Sequence, residues 1–303
     1  MQTVLQSTAQ SSTTNSNKMS SLQRAPATHS IGAILVDAGK LTPEKAESVL
    51  RLQKEKRLPF GEAAIKLGLL SPEDVRFALA RQYHYSYLLK SNHIVSDELV
   101  AAYQPFSSQT ESMRALRSQL MMRWFADEAK NKTLSIVSPG SKEGRSYLAA
   151  NLAIVFSQQG ERTLLIDANM RNPRQHKLFK LENSSGLSSI LSGRADANTI
   201  QRVSSFMDLS ILTAGPIPPN PQELLGRPIF DSLLASATQD FDVIIIDTPA
   251  ATHCADAHII SMHTSGALVV ARQNSSSMRS VHQMADGMAQ LGVSLVGTVL
   301  TDF

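Results

Sequence analysis

From about residue 105 onward, short apolar runs alternate with longer mixed segments. The runs are LSIV, TLLIDA, LSILTA, DVIIIDTP, GALVVA and SLVGTVL, all rich in Val, Ile and Leu. Continuous apolar runs of this length, with helical patterns between them, predict strands of a parallel sheet covered by helices on both faces. The first third reads differently. IGAILVDAGKLTPEKAESVLRLQ and FGEAAIKLGLLSPEDVRFALARQ align without a gap at an offset of 29 residues, Gly32 with Gly61 and Gly39 with Gly68. Coincidence at one offset marks a duplicated unit. Each copy predicts a short helix, a glycine stop and a second amphipathic helix. Thr42 and Ser71 suit the N-caps, with Pro43 and Pro72 at the first helical positions. YHYSYLL (Tyr83 to Leu89) then alternates like a strand. The expected domains are a polar Ser/Thr-rich disordered tail (1–28), an all-α duplicated helical module (29–90) and an α/β domain (105–303).

Composition narrows this picture only slightly. Hydrophobic residues form 42% of the chain, enough for a real core. A net charge of +3 makes no case for a nucleic-acid partner. The basic run Arg171, Arg174, His176, Lys177 and Lys180 reads as a solvated face or a local phosphate contact. One cysteine, Cys254, excludes an intrachain disulfide and suits a reducing compartment. No apolar stretch approaches the ~20 residues of a membrane span, and the N-terminus lacks a signal-peptide core. A cytoplasmic protein is expected.

Three loops at strand ends carry candidate chemistry, where ligands of open α/β sheets bind. IVSPGSKEGRSY looks like a phosphate-binding P-loop: Gly140, Ser141, Lys142, Glu143, Gly144, Arg145, Ser146 and Tyr147 enter a helix whose first amides can cradle phosphates. Ser146 is placed to hold Mg2+. Arg145 takes the signature lysine's place, bringing a planar fork rather than a compact ammonium. In LLIDANMRNP, Asp167 ends a buried strand, either facing a metal or hydroxyl or capping a following helix. In FDVIIIDTPA, Asp247 ends the apolar run, either a Walker B pattern in which the carboxylate serves a Mg2+-bound water or an ordinary aspartate at a strand-end turn. Together they predict an ATP and Mg2+ site within a P-loop fold.

Residues 105–303 resemble the cytoplasmic domain of bacterial tyrosine kinases, the P-loop family attached to polysaccharide export. Besides the three loops, Glu111, Arg114 and Arg117 match that family's Glu-x-x-Arg-x-x-Arg oligomerisation motif. LTAGPIPPNPQELL and LIDANMRNPRQHKLF are similar to it as well. The subgroup resembled is the chain-length-determinant tyrosine kinases that carry a duplicated helical module in front. The resemblance implies that Asp167 orients or deprotonates the acceptor hydroxyl. It also implies that Asp247 and Ser146 organise Mg2+ alongside Asp167, and that Arg145 stabilises phosphate charge. Self-association into a ring is implied, as is a separate membrane-bound polysaccharide chain-length determinant that would hold the chain at the inner face of the membrane. Residues 29–90 resemble the N-terminal domain of type II secretion and pilus ATPases, which in some members binds cyclic di-GMP. In that version each copy begins Arg-Leu-Gly. Ser30-Ile31-Gly32 and Pro59-Phe60-Gly61 lack both arginines, whereas Gln53 and Gln82 fit, so a docking module and a cyclic di-GMP sensor both stay open.

Three departures separate the chain from the family pattern. Arg145 replaces lysine, and Asn169 replaces the second aspartate of Asp-x-Asp. The C-terminal tyrosine cluster is absent at Thr301-Asp302-Phe303, leaving Tyr147, Tyr83 or a partner residue as acceptor; Tyr83, Tyr85 and Tyr87 read equally as plain strand positions. Two functions therefore stand: an ATP-dependent kinase-like enzyme, and a non-catalytic switch set by nucleotide occupancy. A partitioning or cell-division ATPase is set aside, because Gly140 stands where that class has its extra lysine.

Overall fold

The computed structural model describes residues 30–82, 88, 93–127 and 131–302. The chain divides into two compact units, Met1–His84 and Tyr85–Phe303. In the first, α1 (Ile31–Asp37), α2 (Pro43–Lys56), α3 (Phe60–Lys66) and α4 (Pro72–Gln82) follow the duplicated pattern. Thr42 caps α2 by accepting the Lys45 amide. Ser71 opens α4 with a reciprocal pair: its hydroxyl accepts the Asp74 amide at 3.1 Å, and the Asp74 carboxylate accepts the Ser71 amide at 3.0 Å. Gly39 and Gly68, equivalent in the two copies, end the first helix of each with φ of +67° and +65°. Ile34, Leu35, Leu41, Val49, Ala63, Ala64, Leu70 and Ala78 form the core. The strand expected over Tyr83 to Leu89 lies outside the described residues, apart from Leu88, which is buried outside any strand.

The second unit is built on a sheet. Its strands are β1 (Thr133–Val137), β2 (Thr163–Asp167), β3 (Gln201–Arg202), β4 (Leu209–Leu212), β5 (Val243–Asp247), β6 (Gly266–Arg272) and β7 (Ser294–Thr301). Their order is β3-β4-β2-β5-β1-β6-β7. Every pairing is parallel except β3 with β4. All six apolar runs are strands. The seventh, β3, carries no apolar residue and so had no signal of its own. Helices α5 (Val100–Tyr103), α6 (Ser108–Arg123), α7 (Arg145–Ser157), α8 (Gln175–Phe179), α9 (Leu187–Leu191), α10 (Pro221–Leu225), α11 (Pro228–Asp240), α12 (Asp256–Thr264) and α13 (Met278–Gln290) complete it.

Both sheet faces are covered, which is why the central strands β1, β2 and β5 are buried almost throughout and mostly apolar. Along β2, Leu165 enters the core that holds Leu148, Leu152 and Phe156 of α7. Leu164 and Ile166 enter the opposite core with Phe230 and Leu234 of α11. Along β5, Ile245 joins the first core, and Ile244 and Ile246 the second. Side chains alternate with period two along a strand, so Asp167 and Asp247 share the face of Leu165 and Ile245. That is the α7 face. Among the described residues, no helix is long and apolar enough to cross a membrane.

Candidate functional site

The loop between β1 and α7 bends through two left-handed residues, Lys142 (φ +61°) and Gly144 (φ +97°). Such alternation turns successive amides inward, as an anion-binding concavity requires. Ser141 and Lys142 are exposed, whereas Glu143 and Arg145 are 4% and 7% exposed. Glu143 ties the loop together. Its carboxylate accepts the Gly140 amide at 2.7 Å and the Ser276 hydroxyl. Arg145 ties it to the strand beyond: Nε donates to the Thr248 carbonyl at 2.9 Å, and Nη1 to the Gly140 carbonyl at 2.6 Å and the Ser138 hydroxyl. Burial lowers the Arg145 pKa, and the charges of Asp247 and Glu143 oppose that shift. Much of this guanidinium therefore serves backbone and hydroxyl acceptors. Tyr147 is half-buried, and its phenol is pushed up by burial and then by Glu98.

The two strand-end aspartates meet directly. Asp167 and Asp247 are register partners on the neighbouring strands β2 and β5, and both are fully buried. Neighbouring strands run about 4.8 Å apart, so two like charges in low dielectric repel strongly. Asp167 is accordingly raised to about 7, by burial first and Asp247 second. Three amides partly offset this: Asn169 at 3.2 Å, and Arg174 and Gln175 at 2.9 Å each. The last two begin α8, so Asp167 satisfies a helix start, the second of its two expected readings. Asp247 is raised too, chiefly by burial; its hydrogen bond from Ser146 and the Arg145 charge oppose the shift. Gln175 Nε2 donates to Asp247 Oδ2 at 2.7 Å. Asp247 Oδ1 is buried and meets no hydrogen-bond partner.

The sequence-predicted loops thus converge at the carboxyl ends of β1, β2 and β5. Asp167, Asp247 and the Ser146 hydroxyl make an all-oxygen set, suited to a hard cation that keeps several waters. It is not an all-protein cage: among the described residues no three or more His, Cys, Asp or Glu side chains gather in metal-binding fashion.

Comparison with known proteins decides the family. No family model matches the chain. It is 34% identical over 202 residues to the tyrosine-protein kinase YwqD of Bacillus subtilis, covering 67% of this chain and 84% of that one. The chain belongs to the bacterial tyrosine-protein kinases. It is also 32% identical over 203 residues to the tyrosine-protein kinase wzc of Salmonella typhi, spanning only 28% of that longer protein. Among solved structures, the kinase domain of the Escherichia coli tyrosine kinase ETK matches with a TM-score of 0.64 and 32% identity, covering 67% of this chain and 79% of that one.

Within this tyrosine-kinase fold, the remaining predicted residues have definite places. Glu111, Arg114 and Arg117 lie on α6, outside the site. Glu111 and Arg114 pair with each other, and Arg117 Nη1 donates to the Val155 carbonyl near the end of α7 at 2.8 Å. Asn169, where the family pattern has aspartate, is 8% exposed and accepts the Asn172 amide. The basic run is largely tied down: Arg171 grips buried Asp256 with two bonds, at 2.8 and 3.1 Å. Arg174 pairs with Glu98, and Lys180 donates to the His93 carbonyl. The sequence alone did not single out Gln175 and Thr248 at the site, nor Asp256 as the partner of Arg171. Gln175 was hidden in a polar stretch, and Asp256 and Thr248 acquire roles only through contacts 85 and 103 residues distant along the chain.

Proposed function

We propose that this chain is an ATP- and Mg2+-dependent kinase-like enzyme acting on protein tyrosine, with its centre at the ends of β2 and β5. One observation carries the reading. Two fully buried carboxylates lie side by side at the mouth of a phosphate-binding loop, one with an oxygen that meets no donor. Adjacent buried anions are unfavourable unless a cation offsets them. The oxygen-only set of Ser146, Asp167 and Asp247 fits Mg2+, which when bound neutralises charge on the phosphates.

Each residue then has a task. The amides of residues 140–146 and the start of α7 receive the phosphates. Ser146 and Asp247 hold the ion. Asp167, fully buried at the strand end beside them, orients or deprotonates the acceptor hydroxyl. Arg145 stabilises phosphate charge while bracing the loop. Tyr147 is half-buried, which favours a tyrosine on another chain as acceptor. Family membership supports a role beside a separate membrane-bound polysaccharide chain-length determinant, at the inner face of the membrane. Ring assembly would use the α6 charges Glu111, Arg114 and Arg117. The test is a Mg2+-ATP titration that follows binding and phosphate release together, beside Asp247→Ala. Turnover lost in the variant supports the enzyme; absence of any nucleotide binding sinks it.

A second reading, a switch set by nucleotide occupancy, is favoured by one observation: Arg145 spends three hydrogen bonds on the protein itself. Occupancy can shift assembly without turnover if one state binds nucleotide better. The variant Arg145→Lys separates the readings. Higher turnover marks a crippled enzyme; lower turnover marks the arginine as an adapted working part, and the switch reading loses ground.

A further inference from the structure

Gln175 is fully buried at the first position of α8, and it touches every part of the candidate centre. Its backbone amide donates to Asp167 Oδ2 at 2.9 Å. Its side-chain nitrogen donates twice, to the Ser146 carbonyl at 3.1 Å and to Asp247 Oδ2 at 2.7 Å. Both of those neighbours are acceptors, so the amide's orientation is set by its surroundings: nitrogen toward Asp247 and Ser146, oxygen away from them. That oxygen, Oε1, is buried and meets no hydrogen-bond partner, and neither does Asp247 Oδ1. A buried acceptor left unpaired costs roughly 1–3 kcal/mol. Each of the two asks for a donor that the protein does not supply.

We propose that Gln175 is a constituent of the metal centre, which the Ser146–Asp167–Asp247 set alone does not complete. Its nitrogen holds Asp247 by Oδ2 and leaves Oδ1 for a hydrated divalent cation. Its own oxygen supplies a second, neutral acceptor to the same hydration shell. A neutral acceptor suits the metal-free protein, because a third carboxylate beside Asp167 and Asp247 would add repulsion that only a bound cation offsets. A hydrated cation provides both the missing donors and the missing positive charge. This inference rests on the nucleotide-and-metal reading above and adds to it a residue outside the three loop motifs.

The experiment is Mn2+ binding in the presence of ADP, read from the free-ion electron paramagnetic resonance signal, in the full chain. Gln175→Leu removes donor and acceptor at similar volume; Gln175→Glu keeps an acceptor and loses the donor. The expected result is Mn2+ affinity weakened on the order of 10-fold or more by Gln175→Leu, as for other residues supporting metal ligands, and largely restored by Gln175→Glu. A purely structural amide predicts the opposite order, with Gln175→Glu the worse variant because it adds a third buried anion. Wild-type affinity in folded Gln175→Leu overturns the inference while the metal reading stands. If Gln175→Leu does not fold, Gln175→Glu decides: retained Mn2+ affinity supports the inference, and lost affinity in folded protein overturns it. No Mn2+ uptake by the wild type sinks the metal reading, and this inference with it.

Discussion

The helical module and the sheet unit handle polar groups in opposite ways. In the module's described residues, every side chain that is fully buried is apolar, and charge stays at the surface or at helix starts such as Ser71 and Asp74. In the sheet unit, Glu143, Arg145, Asp167, Asp247 and Asp256 are all nine-tenths or more buried, four of them around the strand ends that form the site. Burial of charge opposes folding unless partners or a ligand compensate. The module spends its polar chemistry on stopping and starting helices, as a stable scaffold does. The sheet unit concentrates unfavourable chemistry at one place, and the proposed function rests on that contrast.

The largest effect should come from Asp247→Asn. Losing the carboxylate removes several kcal/mol of charge stabilisation, on the order of 10³-fold in phosphate release. The same variant should melt at a higher temperature than wild type in a chelator, because repulsion with Asp167 is gone. A variant less stable in chelator would break the contrast, since the pair would then be structural.

A pH series sharpens the same point. With Asp167 raised to about 7, the unfolded chain gives up this proton near the ordinary 3.8 while the folded chain keeps it. Between those values the folded state binds more protons, so its stability from this group falls as pH rises, by up to about 1 kcal/mol per pH unit. His176 and His258, both lowered chiefly by burial, push the other way below about pH 6.5 and cancel on comparison with Asp167→Asn. In chelator, the stability lead of Asp167→Asn should therefore widen from pH 5 to pH 7, and saturating Mg2+ should narrow it. A pH-independent difference would contradict the raised pKa.

Two smaller effects probe packing and capping. At Gly266, an added Cβ would lie 2.2 Å from Trp124 Cζ2, so Gly266→Ala should cost about 1–3 kcal/mol by denaturant unfolding. In the module, Ser71→Ala should cost about 1 kcal/mol and leave nucleotide affinity unchanged. A change in nucleotide affinity there would show that the two units are coupled, against the division of labour drawn above.

Local physics wrote much of this protein plainly. Six strands were legible as apolar runs, most of them because a strand buried on both faces must be largely apolar; β7 showed the same run although none of its positions is fully buried. The helix starts at Thr42 and Ser71 were legible because a cap is satisfied within three residues. Asp167 and Asp247 were legible as strand-end carboxylates, and Ser146 as the loop hydroxyl. The strand Gln201–Arg202 was not, since only the edge of β4 makes it a strand. Nor could Arg145 reveal that its guanidinium turns back onto Thr248, Ser138 and Gly140.

By itself, then, the sequence determined the repeated helices, six of the strands, the phosphate-binding loop and the identity of two acidic strand ends, because each depends on periodicity or on neighbours a few residues away. Only the tertiary structure decided that β5 lies between β1 and β2, and that choice sets Asp167 against Asp247 in register. It also brought Gln175 between Ser146 and Asp247, from 29 and 72 residues away. Such meetings are settled by which strands pair and which helix crosses the sheet, where the energy of the whole core outweighs any local preference.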